Sequence, residues 1–126
     1  MSQIAKTLAL IAHDGKKADM VAFALSNKEV LQKYDLVATK TTGQLLIEKC
    51  DLPVRQMLSG PLGGDAQIAG QVAEGKIEAV FFFVDPLTAN PHDPDIQGLL
   101  RICNVHNVPL ATNAATAKYI ISTQAL

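Results

Sequence analysis

The side chains able to do chemistry occur in short groups. His13-Asp14 is followed by Lys17, and Thr39-Lys40-Thr41-Thr42 runs into Gly43. Ser59-Gly60 opens a glycine-rich string ending on Asp65, and Asp85 precedes a proline-rich stretch, Pro91-His92-Asp93-Pro94-Asp95. Two kinds of group are mixed. Lys17, Thr39, Thr41, Thr42, Ser59 and the Gly60 amide are anion donors, and a helix starting near the threonines would add its unsatisfied N–H groups and its dipole. Asp14, Asp65, Asp85 and Asp95, with the imidazoles of His13 and His92, are groups that transfer protons. A small phosphorylated molecule is the ligand class this mixture favours.

Each group also has an ordinary structural reading. Asp14, Asp65 and Asp95 stand where helix N-caps would stand, the threonines are common caps, and Asp93 can simply face solvent. His106 reads as helix-terminal, and Thr112-Asn113 suits a turn. Ser59-Gly60-Pro61-Leu62-Gly63-Gly64-Asp65 is neither a Walker loop nor a dinucleotide fingerprint. Ser59 and the two cysteines have no local nucleophile signature. Magnesium stays open, because aspartates are its usual protein ligands, although no metal-spacing motif is present.

Position separates the two readings. Apolar runs at Thr7–Ala12, Asp35–Ala38, Val54–Leu58, Ala79–Val84 and Val108–Ala111 alternate with helical stretches at Ala18–Asn27, Gln44–Cys50, Ala66–Glu74, Ile96–His106 and Ala115–Ile121. Such alternation predicts an α/β fold, a five-stranded parallel sheet between helical layers. The first and fourth runs are continuously apolar, as in central strands covered on both faces. The third is half polar after Pro53, and the fifth contains Pro109, so both read as edges. The strand order is then 3-2-1-4-5, with the winding reversed between the first and fourth strands, where ligands bind outside the carboxyl ends. Every strong polar cluster falls at that end of the sheet, while His106 does not belong to one.

Composition sets the outer bounds. A chain of 126 residues is read as one domain over 1–126, and 48% apolar residues allow a sizeable core. Eleven Lys and Arg against twelve Asp and Glu give a net charge of -1, which disfavours a general nucleic-acid surface. The longest apolar segment, between Glu78 and Asp85, holds only six apolar residues, far from the roughly 20 of a membrane span, and the N-terminus lacks a signal-peptide stretch. Cys50 and Cys103 are far apart and outside any Cys-x-x-Cys pattern, so reduced thiols and a cytoplasmic protein are expected.

At these residues the sequence resembles the methylglyoxal synthase family. The matching pieces are Ala12-His13-Asp14 with Lys17, Thr39-x-Thr41-Thr42-Gly43, Ser59 through Asp65, Phe83-x-Asp85-Pro86-Leu87, Pro91 through Asp95, and Thr112-Asn113, in family order over most of the chain. The resemblance implies a cofactor-free lyase that converts dihydroxyacetone phosphate to methylglyoxal and inorganic phosphate, bypassing part of glycolysis. It implies Asp65 as catalytic base, a phosphate site from Lys17, Thr39, Lys40, Thr41, Thr42, Ser59 and Gly60, and substrate contacts from His13 and His92. Asp14, Asp85 and Asp95 would support proton transfer. The resemblance further implies a homohexamer, with phosphate as product and inhibitor. Lys40 departs from the family's usual glycine, and the chain stops at Leu126, short of the longer tail of some members. A regulatory phosphate-binding module on the same fold would need the anion donors but not Asp65 with His92 and Asp95. Another phosphosugar lyase or isomerase would share most of these groups.

Overall fold

The computed structural model describes residues 6–87 and 93–122; of residues 93–95 it describes the backbone only. Strand β1 (Thr7–Ala12) leads through a 3-10 turn (Asp14–Lys16) into α1 (Lys17–Ser26) and a short α2 (Lys28–Leu31). Then come β2 (Asp35–Ala38), α3 (Lys40–Cys50), β3 (Val54–Gln56), a 3-10 turn (Gly60–Leu62) and α4 (Gly64–Ala73). β4 (Ala79–Phe83), α5 (Asp93–Val105), β5 (Leu110–Ala111) and α6 (Ala114–Ser122) follow. The strands pair in parallel in the order β3-β2-β1-β4-β5, as the sequence predicts.

Strand periodicity of two sorts the core into two layers. Leu8, Leu10, Leu36, Ala38, Phe81 and Phe83 point to one face, where Met20 and Phe23 of α1, Leu46 of α3 and Ile121 of α6 cover them. Ala9, Ile11, Val37, Val80 and Phe82 point to the other, beneath Ile68 and Val72 of α4 and Leu99 and Cys103 of α5. Parallel crossovers are right-handed, so a change in winding direction moves the connecting helix to the opposite face. That is why α3 and α4, consecutive helices, belong to different cores. Phe81, Phe82 and Phe83 are all fully buried, each stabilising the fold by roughly 1.5–3 kcal/mol. The Phe23 ring meets Phe81 and Phe83 edge-on at 5.8 and 5.5 Å.

Element ends differ from expectation where loops take over ladder bonds. β3 stops at Gln56: the Met57 N–H still donates to the Ala38 carbonyl (2.7 Å), but the Leu58 N–H turns to the Gln67 side chain. β5 shrinks to Leu110–Ala111 after Pro109, which has no N–H and contributes its carbonyl to Val80 N–H (2.9 Å). α3 begins at Lys40, so the threonine group is the first turn of a helix rather than a loop before one.

Candidate active site

The carboxyl ends of β1, β2 and β3 surround a cavity of about 300 Å3. Its floor is apolar, from Ile11 and Phe82, and its walls are polar. His13, Asp14 and Lys17 enter after β1, Thr39 and Thr41 after β2, and Ser59, Gly60 and Asp65 after β3.

The β1 side is built around a turn. Asp14 does not cap α1, since the 3-10 turn that it opens delays the helix to Lys17. Its exposed carboxylate instead pairs with Lys17 Nζ at 2.6 Å. Lys17 is not a solvated lysine either, because its ammonium also donates to the Ala12 carbonyl at 3.1 Å and is thereby held at the cavity wall. His13 is buried, edge-on to Phe82 at 5.1 Å, and its Nδ1 accepts the backbone N–H of Asp85 at 3.0 Å. A nitrogen that accepts an N–H carries no proton, so the neutral ring is protonated on Nε2.

The β2 side is the first turn of α3. Thr39 and Thr42 are buried with their hydroxyls 3.5 Å apart, while Lys40 and Thr41 are exposed. The helix amides of this turn point toward the cavity end of the sheet and favour an anion. Gly43 lies where α3 crosses the sheet; a Cβ there would stand only 2.8 Å from Gln56 Cγ.

The β3 side carries the carboxylate. Ser59 O accepts the N–H groups of Leu62 (3.0 Å) and Gly64 (2.9 Å), closing the loop on itself. Gly63, at φ 104°, turns the chain into α4 in a conformation that favours glycine. Asp65 is therefore the second residue of α4 rather than its N-cap, and it is only 5% exposed. A Cβ on Gly60 would lie 3.7 Å from both Asp65 carboxylate oxygens, so the Gly60 backbone lies close beside this carboxylate.

Of the other expected residues, Asp85 stands apart from this cavity. Asp85 lies behind His13, its Oδ1 accepting the Leu87 N–H (3.0 Å), and lines a neighbouring concavity of about 750 Å3 between the β4 and β5 ends. Asp95 sits in the first turn of α5, which starts at Asp93 and so removes it from the cap position. His92 lies outside the described residues. Among the described residues no group of three or more His, Cys, Asp or Glu side chains is disposed to hold a metal ion. Phe82 was not singled out in the sequence as a site residue; strand alternation assigns it a face, but not its meeting with His13.

Residues 19–112 match the family model described as "MGS-like domain". A methylglyoxal synthase of Thermus thermophilus is 60% identical over 117 residues, covering 93% of each chain. The chain belongs to the methylglyoxal synthase family. A family member from Clostridium botulinum is 57% identical over 114 residues, covering 90% of this chain and 96% of its own. The crystal structure of methylglyoxal synthase from Elizabethkingia anophelis superposes with a TM-score of 0.89 at 45% identity, over 94% of this chain and 78% of that one.

Proposed function

We propose that this chain eliminates phosphate from dihydroxyacetone phosphate to give methylglyoxal, with Asp65 as the base. The observation that carries the assignment of Asp65 is its nearly buried carboxylate against Gly60, in the same small cavity as Lys17, Thr39, Thr41 and Ser59. Phosphate leaves from one carbon beside the ketone, so the proton must leave from the other, the hydroxymethyl carbon. Asp65 takes that proton and an enediolate forms. His13, protonated on Nε2, is the donor for the developing oxyanion on this side, and His92 is the second imidazole assigned to the substrate. The electron pair of the enediolate then expels phosphate, and the resulting enol becomes methylglyoxal.

Elimination requires the bridging carbon–oxygen bond to stand out of the enediolate plane. The first turn of α3 and Ser59-Gly60 grip the phosphate in that torsion, with Lys17 balancing its charge. Asp14 tethers Lys17, Asp85 holds the tautomer of His13 through its N–H, and Asp95 is assigned to the supporting proton network. Lys40, exposed beside Thr41, adds positive potential at the mouth. The protein works as one domain, assembled as a homohexamer in the cytoplasm and inhibited by its product phosphate.

The test is an incubation with dihydroxyacetone phosphate without added metal, following methylglyoxal and phosphate. Equal release of both is expected. Asp65→Asn should lower turnover by about a thousandfold or more while phosphoglycolate still binds in calorimetry. In the same titration Lys40→Gly should weaken binding. A well-folded parent that releases neither product sinks the reading, and an active Asp65→Asn reassigns the base.

A further inference from the structure

The two halves of the cavity belong to different cores, yet they meet at the backbone of one residue. Leu58 lies just past β3, where the ladder has ended. Its N–H donates to Gln67 Oε1 of α4 at 2.8 Å, and its carbonyl accepts the Lys40 N–H of α3 at 3.4 Å. A Cβ on Gly64 would overlap that same carbonyl oxygen, so the first turn of α4 is pressed directly against it. The Leu58 backbone thus touches the start of the helix that carries the threonines and the start of the helix that carries Asp65. It also forms the root of Ser59-Gly60.

We propose that Gln67 is a positioning residue for the proton-transfer step, fixing the distance between Asp65 and the phosphate-gripping groups through the Leu58 N–H. This rests on the assignment of Asp65 as base and of Ser59-Gly60 as part of the phosphate site. Gln67 is exposed and two residues past Asp65, so it neither supports the core nor reaches the cavity. Its one bond along this edge runs from the base-bearing helix to the root of the Ser59-Gly60 loop. The loop itself is closed by its own backbone bonds, Ser59 O to Leu62 and Gly64 N–H and Gly60 O to Gly63 N–H, and keeps its shape without Gln67. What Gln67 controls is placement. A base displaced by a fraction of an ångström from its carbon loses rate while the substrate's phosphate is still held.

The chemistry of the bond selects the variants. Oε1 is an acceptor, so Gln67→Met removes the bond at similar size, and Gln67→Glu keeps an acceptor at the same reach. Gln67→Met is expected to lower kcat about fivefold, the loss of one hydrogen bond of ordinary net strength. Inorganic phosphate should bind it within about twofold of the parent by calorimetry, with the thermal midpoint lowered by no more than several degrees. Gln67→Glu should keep kcat within about twofold, whatever its charge does to KM. An unchanged kcat in Gln67→Met overturns the inference while leaving the proposed activity standing, and so does an equal fall in Gln67→Glu. A parent without turnover removes both.

Discussion

Asp14 and Asp65 line the same cavity as carboxylates, and their surroundings give them different work. Asp14 is fully in water and tied to Lys17, where solvent screens the pair and leaves it the role of a tether. Asp65 is buried at the start of a helix, the setting of the base proposed above. The cysteines show the opposite use of burial. Desolvation pushes the Cys103 thiol from its ordinary 9.0 up to about 11, and raises Cys50 as well, there partly offset by Lys28. The folded protein therefore keeps the Cys103 proton over a range in which the unfolded chain has lost it. That contribution is fully present below pH 9.0 and disappears as the pH rises through about 11. Unfolding free energies from urea titrations should fall further between these two pH values for the parent than for Cys103→Ala, by on the order of 2 kcal/mol. Parallel slopes for the two proteins would rule the contribution out.

At the scale of elements, the glycines of the loop after β3 carry unequal demands. Gly64 has no room for a Cβ beside the Leu58 carbonyl, whereas Gly70, further along the same helix, has nothing within 4 Å of the corresponding position. Gly64→Ala must move α4 or the loop, and should cost about 1–3 kcal/mol of stability together with about a hundredfold of kcat/KM. Gly70→Ala should instead stabilise by roughly 0.5–1 kcal/mol at unchanged activity. Denaturation curves and initial rates for the pair check this, and a Gly64→Ala as benign as Gly70→Ala would sink it. The same helices mark how far the sequence could be read. Sheet order and the clustering of His13, Lys17, Thr39 and Asp65 at one end were legible because strand hydropathy and edge prolines are local signals. The start of α3 was not, since Thr41, Thr42 and Gly43 look like a loop until their packing on β2 and β3 is seen. Nor was the Gln67 bond to Leu58, because an exposed glutamine has no signature of its own. The N-cap place that the sequence offers Asp65 falls two residues earlier, on the left-handed Gly63.

For the whole molecule, one sheet with a helical layer on each face buries the core but leaves large apolar side chains outside. Leu62 is 70% exposed, Leu87 94% and Tyr119 76%, apolar area that the proposed homohexamer would have available to bury. Light scattering on the purified protein should give six times the 13.5 kDa chain mass, and a monomer at micromolar concentration would refute the hexamer. The reversal of winding beside β1 has a different consequence. The helix of the threonines is anchored among Leu46, Met20 and Phe23, and the helix of Asp65 among Ile68, Val72 and Leu99, with the sheet between them. On the proposed roles of the two helices, heritable variation in substrate affinity and in turnover would draw on separate pools of remote mutations, and a lineage adapting to scarce substrate would keep its speed.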